Sequence, residues 1–186
     1  MRAQAWDPLR ALTVLARHRV RFVVIGGYGA RLRGSASITN DTDICYAREQ
    51  EDLRRLAAAL QELGAKLRGK GVPEDLPFIL DAKSLERGDH FTFSTDAGAL
   101  DILGTPAGVR GFDELNKDAD DFDLDGLTVR VPSIDALMKM KRAAGRPKDI
   151  AELEVLGALR DEVEARDHDR WKLRKRSDRE RRPKAK

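Results

Sequence analysis

Two aspartates placed shortly after two glycines limit most strongly how this chain can fold. The run V-V-I-G-G-Y-G-A holds Gly26 and Gly27, and the run T-N-D-T-D-I holds Asp41 and Asp43. Because alternate side chains of a β-strand point to one face, the two carboxylates would project together, as ligands of a hard divalent cation do. A glycine pair after an apolar strand lets a phosphate approach bare backbone at a helix start. The spacing predicts a strand, a glycine turn, a helix and a second strand around a site for a metal-bound nucleoside triphosphate.

Length and composition set the outer limits. The chain has 186 residues, of which 41% are hydrophobic, which suits one ordinary domain with its own core. It has no run of about eighteen apolar residues, and its N-terminus lacks the apolar stretch of a secretion signal, so we expect a cytoplasmic protein with no membrane contact. Cys45 is the only cysteine, which excludes an internal disulfide and a cysteine-rich zinc site.

The positive charge is concentrated at the C-terminus. Residues 170–186 hold ten Lys or Arg and two acidic residues, a local charge of +8 in a chain whose net charge is +3. Such a segment suits a polyanion, because each neutralised phosphate releases counterions. The alternative is a solvated, flexible tail that aids solubility.

Hydrophobic spacing and helix caps predict alternating helices and strands, and therefore a mixed α/β fold. In the first half we expect helices over 8–18, 26–33 and 49–63, strands over 21–25 and 40–46, and irregular loops over 65–88 with one strand at 78–80. In the second half we expect strands over 90–94, 99–103 and 127–131, and helices from Ser133 to a break at 145–149 and from there to Arg170. The acidic stretch 118–126 begins like a calcium-binding loop but has Pro132 where a glutamate is required, so we interpret it as a solvated surface loop.

Asp101 is a candidate third carboxylate. It stands in the apolar strand A-L-D-I-L, where an ionisable group is costly unless it is paired or binds a metal. One interpretation is an aspartate at a strand end that pairs with an arginine. The aspartate pair upstream favours the other interpretation, in which all three acids hold metal.

The order of these motifs, followed by K-R-A-A-G-R-P-K-D at 141–149, resembles the DNA polymerase β-like nucleotidyltransferase superfamily. Within it the chain resembles the AbiEii/MenT-type toxins of bacterial toxin-antitoxin pairs and related small nucleotidyltransferases, over most of residues 20–160. The resemblance implies a central mixed β-sheet flanked by helices, with a C-terminal helical part. It divides the chain into a nucleotidyltransferase core (1–132), C-terminal helices that complete the cleft (133–169) and a basic tail (170–186).

Site residues follow from the resemblance position by position. It implies that two Mg²⁺ ions, or Mn²⁺ in their place, are held by Asp41, Asp43 and Asp101. The nucleotide-binding candidates are Gly26, Gly27, Thr39, Arg146 and Lys148, and the further catalytic candidates are Lys141 and Asp149. Many relatives have an arginine where this chain has Ser37, so we expect Arg31 or Arg33 to supply that charge.

The implied chemistry is transfer of a nucleoside monophosphate from an NTP to a hydroxyl group. Asp101, or a water in its place, would receive the proton of the hydroxyl, and Lys141 would stabilise negative charge. The resemblance points to the 3′ end of transfer RNA as acceptor, in a monomeric toxin with a cognate antitoxin protein, and the basic tail favours RNA independently. One alternative is a nucleotidyltransferase that modifies a small hydroxylated molecule such as an aminoglycoside, an amine-rich acceptor that the acids of 118–125 would bind. The other is a non-catalytic nucleic-acid-binding module.

Overall fold

The computed structural model of the chain describes residues 5–69, 73 and 78–180. Within these residues the helices are α1 (Pro8–Arg17), α2 (Gly26–Leu32), α3 (Gln50–Glu62), α4 (Ala82–Arg87), α5 (Phe112–Lys117), α6 (Ile134–Ala144) and α7 (Pro147–Glu180). The strands are β1 (Phe22–Ile25), β2 (Asp41–Tyr46), β3 (Lys66–Leu67), β4 (His90–Thr95), β5 (Gly98–Leu103), β6 (Ala119–Leu124) and β7 (Leu127–Pro132). The predicted alternation of helices and strands is therefore confirmed.

The strands of the main sheet lie in the order β1-β2-β5-β4-β3. Among the described residues, β2 and β5 pair in parallel, with Asp43 beside Asp101, and the other neighbours in this sheet are antiparallel. β6 and β7 form a separate antiparallel hairpin. The sheet is thus mixed, as predicted, and the parallel pair brings the two acidic strands side by side.

Apolar clusters cover both faces of the main sheet at β1 and β2. Ile44 and Ile102 point into a cluster with leucines of α1 and α3, whereas Cys45 points into a second cluster with Leu137 and Met140 of α6. Since side chains alternate along a strand, residues of the same parity as Cys45 face α6. Asp41, Asp43 and, by register, Asp101 therefore lie on the α6 side of the sheet.

Side-chain caps explain where α1 and α6 start. The Asp7 carboxylate accepts from the backbone NH of Arg10 (3.0 Å), with Pro8 at the first helical position of α1. The Ser133 hydroxyl caps α6 in the same way, by accepting from the NH of Ala136 (3.2 Å). Both caps satisfy backbone groups that have no partner within the helix.

Three expectations for secondary structure were wrong. Residues 78–80 are not a strand, and the interval 65–88 instead holds β3 and α4 among its described residues. The stretch 118–126 is not a loop, because β6 pairs with β7 through a turn in which Asp125 and Gly126 have φ of 52° and 87°. An Asp-Gly pair suits such a tight hairpin turn, since both central residues need positive φ. The last helix continues to Glu180 rather than ending at Arg170.

Residues 70–72, 74–77 and 181–186 lie outside the described residues, so part of the predicted loop region and the end of the basic tail are outside them too. Across the described ranges, the helices are all too short or too polar to cross a bilayer.

Candidate active site

The three predicted metal-binding carboxylates line one cavity on the α6 side of the sheet. Asp41 and Asp43 come from β2 and Asp101 from β5. The cavity has a volume of about 370 Å³. Its lining, drawn from β2, β5, α2 and the α6–α7 junction, consists of Gly26, Gly27, Ile38, Thr39, Asn40, Asp41, Asp43, Asp101, Lys141, Arg146, Lys148, Asp149 and Glu152. Ten of the twelve residues predicted for the site thus surround the same space.

Close contacts within the fold require glycine at both Gly26 and Gly27. Gly26 has φ of 63°, and a Cβ there would overlap the carboxylate of Asp43. A Cβ on Gly27 would lie 2.8 Å from the Thr39 side chain. Because neither position has room for a side chain, α2 can start directly against the acidic strand.

Asp43 is the most perturbed acid of the cavity. Burial raises its pKa to about 7, and the charges of Asp41 and Asp101 add to that rise, while Lys148 and Lys141 oppose it. Burial also raises the pKa of Asp101, helped by Asp41, although Arg68 lowers it. The cavity therefore concentrates negative charge that its lysines do not neutralise fully, which favours a cation.

The opposite wall is the junction of α6 and α7. Lys141 is 8% exposed and contacts Glu152 and Asp149, the latter at 3.9 Å between Nζ and Oδ1. Asp149 is 1% exposed, and Arg146 donates to its Oδ2 from Nε (2.7 Å). Burial alone would raise the pKa of Asp149, but the bond and charge of Arg146, with the charge of Lys141, lower it. Asp149 is therefore an anion that holds Arg146 and lies beside Lys141.

A second, apolar lobe adjoins the polar cavity. It has a volume of about 260 Å³ and shares Gly26, Asp43, Lys141, Arg146 and Asp149 with the polar cavity. Its remaining lining is mostly apolar and comes from β1, β4, β5, the segment after β5, and α6: Ile25, His90, Leu103, Pro106, Ala107, Leu137, Met140 and Ala144. One charged compartment and one apolar compartment thus meet at Asp43, a combination typical of small-molecule sites.

The donor set of the polar cavity fits a hard divalent cation, since Mg²⁺ is held by one or two carboxylates together with phosphate oxygens and water. Among the described residues, however, no three acidic, histidine or cysteine side chains are placed to hold an ion by themselves. Asp101 directs Oδ1 to the guanidinium of Arg68 (2.7 Å), and Asp41 accepts from the Thr39 hydroxyl (2.5 Å). Asp101 thus lines the cavity and also pairs with an arginine, so its surroundings combine the two interpretations made from the sequence.

Arg31 and Arg33 lie elsewhere. The Arg33 guanidinium donates to the carbonyls of Val131 (2.6 Å) and Pro132 (2.9 Å) and pairs with Asp120, so it holds the hairpin against α2. Arg31 lies over the ring of Trp6, with 5.9 Å from its Cζ to the ring centroid. Neither side chain lines the cavity, and the charge expected in place of Ser37 does not come from them in this conformation.

Sequence patterns missed two charged residues at the site, Glu152 and Arg68. Glu152 contacts Lys141 and lies three residues after Asp149, so helical spacing would have placed it on the same face of α7. Arg68 follows β3 and reaches Asp101 across 33 positions of sequence, and no local pattern marks it.

No protein-family model and no curated protein sequence matches this chain. Several solved structures do match it. The lincosamide antibiotic adenylyltransferase LnuA, with lincomycin bound, superposes with a TM-score of 0.54 at 14% identity, over 81% of this chain and 94% of that chain. A candidate nucleotidyltransferase from Thermotoga maritima superposes with a TM-score of 0.51 at 16% identity, over 78% of this chain and 87% of its own.

The antibiotic-resistance factor ANT(2'')-Ia superposes with a TM-score of 0.51 at 15% identity, over 92% of this chain and 95% of that chain. A crystal structure of ANT(2'')-Ia holds adenylyl-2''-tobramycin. At such identities the likeness is one of fold. The chain has the predicted nucleotidyltransferase fold, a mixed central sheet flanked by helices with a C-terminal helix.

Proposed function

We propose that this chain is a metal-dependent nucleotidyltransferase, which moves a nucleoside monophosphate from an NTP to a hydroxyl group. The supporting observation is the convergence of Asp41, Asp43 and Asp101 on one cavity, opposite Lys141 and beside the Gly26–Gly27 turn. A protein that only binds nucleic acid has no need of three clustered carboxylates, because carboxylates repel phosphates. Burial, together with the charges of Asp41 and Asp101, also raises the pKa of Asp43. The fold shared with nucleotidyltransferases supports the same activity.

Each residue has a role set by its position. The three aspartates would hold Mg²⁺, or Mn²⁺ in its place, and when bound these ions activate the attacking oxygen and stabilise the leaving pyrophosphate. The backbone at Gly26 and Gly27 would approach the triphosphate, with Lys148 and Arg146 on the other side of the cavity. Asp101 would receive the hydroxyl proton. Lys141, fixed between two acids, would supply positive charge where the phosphoryl oxygens gain negative charge.

For the acceptor we favour a small hydroxylated molecule with an apolar body. The apolar lobe opens onto the polar cavity at Asp43, so a ring held there would lie beside the reacting phosphate. LnuA and ANT(2'')-Ia, whose structures hold small antibiotics or their adducts, are matched over nearly their whole length. An amine-rich acceptor has less support, because the acids of β6, expected to bind it, do not line either lobe.

The second candidate acceptor is the 3′ end of transfer RNA, in a toxin of the AbiEii/MenT type with a cognate antitoxin. Its support is the charge of +8 over residues 170–186, the C-terminal end of the chain, where α7 continues to Glu180. A basic segment of this kind attracts any polyanion without regard to sequence.

Labelled transfer tests the activity and the acceptor together. The protein is incubated with Mg²⁺ and each α-³²P-labelled NTP, and with either total RNA or a panel of lincosamides, aminoglycosides and other polyols. We expect label in a small-molecule product and none with the Asp43→Asn variant. Label in RNA would instead support the toxin, and no label in any arm with any nucleotide would contradict the proposed activity.

A charge variant separates the two acceptors independently. In it the ten Lys and Arg of residues 170–186 are replaced by Gln, which retains helix-forming side chains but removes the positive charge. Small-molecule transfer should stay within about two-fold of wild type, because the lobes lie elsewhere. RNA transfer should fall about ten-fold or more and lose its dependence on salt, since the phosphate contacts would be gone.

A further inference from the structure

Arg68 is held in a fixed position beside Asp101. Its backbone NH donates to the carbonyl of Thr92 (2.9 Å), its Nε donates to the carbonyl of Phe93 (3.0 Å), and its Nη2 donates to Oδ1 of Asp101 (2.7 Å). The backbone of β4 thus holds Arg68 in place, and the Arg68 guanidinium points to the carboxylate of Asp101.

Strand register explains why these groups meet. Asp43 pairs with Asp101 across β2 and β5, and Asp101 pairs with Thr92 across β5 and β4. The NH of Arg68 continues this row at the end of β3. Paired residues share a face of the sheet, so Asp43, Asp101 and Thr92 form one row that ends at Arg68.

We propose that Arg68 is a positioning residue for the metal site: it binds one oxygen of Asp101 and thereby orients the other oxygen for a divalent cation. Carboxylates that bind metals are themselves held by hydrogen bonds, and losing such a partner costs metal affinity or activity. The inference rests on the proposed function for the identity of the site. It assigns to Arg68 no contact with the nucleotide or the acceptor.

One observation favours this role over simple stabilisation of the fold. The side chains of Arg68 and Asp101 are 36% and 24% exposed, and an ion pair so exposed adds little to stability. The hydrogen bonds that Arg68 donates to Phe93 and Asp101 instead fix the direction of a carboxylate that lines the cavity.

Cation binding without nucleotide tests the proposal directly. Mn²⁺ is titrated into wild type, Arg68→Ala and Arg68→Lys, with free Mn²⁺ followed by electron paramagnetic resonance. We expect Arg68→Ala to weaken Mn²⁺ binding about 10- to 100-fold. Arg68→Lys should fall between it and wild type, because a lysine keeps the charge but not the planar fork that bonds Phe93 and Asp101 together.

Arg55→Ala is the matched control. Arg55 is also 36% exposed, pairs with an acid (Glu51) and donates to a backbone carbonyl (Arg19, 3.4 Å), but it lies on α3, away from the cavity. Its replacement should leave Mn²⁺ binding unchanged within about two-fold. If Arg68→Ala fails to fold by circular dichroism, Arg68→Gln provides the same comparison.

Turnover adds a second measurement. In labelled transfer, Arg68→Ala should require more Mg²⁺ for half-maximal rate, while KM for the NTP at saturating Mg²⁺ stays near wild type. Unchanged or tighter Mn²⁺ binding in Arg68→Ala would overturn the proposal, as would a raised NTP KM with no change in metal dependence. If Arg68→Ala weakens Mn²⁺ binding but the wild type shows no transferase activity, the positioning role stands and the proposed function is contradicted instead.

Discussion

The molecule has two acidic regions that look alike in sequence and differ in structure. The β6–β7 hairpin carries Asp120 and Asp121 on consecutive positions, with side chains 71% and 63% exposed, each paired with an arginine. The cavity instead receives Asp43 and Asp101 from separate strands, and burial raises the pKa of both. Acids that are dense along the chain remain solvated, whereas acids brought together by sheet register lose their water. The cavity, and not the hairpin, therefore holds buried negative charge that a bound cation would neutralise.

The largest difference should appear in catalysis. Asp43→Asn keeps the shape of the side chain but removes the charge, so we expect transfer to fall by about 10³-fold or more. Asp123→Asn makes the same change on an exposed strand residue of the hairpin and should leave the rate within about two-fold. Initial rates of label transfer measure both, and equal losses would show that the hairpin belongs to the site.

Two neighbouring lysines of α6 extend the contrast between buried and exposed charge. Lys141 is 8% exposed and faces the cavity, whereas the Lys139 side chain is 55% exposed and pairs with Glu114. Lys141→Gln should lower kcat about 100-fold, because it removes a preorganised positive charge. Lys139→Gln should change kcat by less than about two-fold. If the two variants lose activity equally at matched melting temperature, Lys141 has no special electrostatic role.

Replacing Asp43 by asparagine should raise the stability of the fold although it lowers activity. The pKa of Asp43 is about 7 in the folded chain against an ordinary value of 3.8, so the folded state keeps a proton that the unfolded state has lost. The metal-free protein must therefore lose stability as pH rises from about 4 to about 7. At pH 8, Asp43→Asn should raise the free energy of unfolding by roughly 1 to 3 kcal/mol, because the cost of ionising the buried acid is gone.

Unfolding measurements at several pH values are the control for the stability that Asp43→Asn gains. The advantage of Asp43→Asn should shrink towards pH 4, where wild-type Asp43 is protonated in both states. Asp123→Asn should stay within about 0.5 kcal/mol of wild type at every pH. Urea unfolding in EDTA at pH 4, 6 and 8 measures this, and a gain independent of pH would mean that the ionisation of Asp43 is not its cause.

The sequence predicted the parts of the site that local patterns record. Alternation placed Asp41 and Asp43 on one face, and the apolar strand around Asp101 marked its acid as unusual. The strand and helix around the Gly26–Gly27 pair were confirmed as well, since a short apolar run, a glycine pair and a helical run follow one another directly.

What the sequence did not predict depends on distant contacts. Arg33 was expected near phosphate because it is basic and close in sequence, but carbonyls of β7, about a hundred positions away, bind it. Arg68 reached the site through β3, a strand of two residues that is too short to show a period. The strand at 127–131 was predicted, but its partner β6 and the hairpin they form were missed, because the acids of β6 suggested a solvated loop, although Asp125-Gly126 is a hairpin signal.

The smallest effect should come from the glycine of that hairpin turn, which contrasts with the glycine of the site. A Cβ on Gly26 would overlap Asp43, but one on Gly126 would meet nothing within 4 Å, so at Gly126 only the backbone conformation matters. With φ of 87°, Gly126→Ala should cost about 1 kcal/mol of stability and leave transfer unchanged. Gly126→Asn should recover part of that loss, because asparagine tolerates positive φ better than alanine does. Urea unfolding of the two variants measures the difference, and a fall in transfer rate with either would mean that the hairpin, not only the cavity, contributes to the active site.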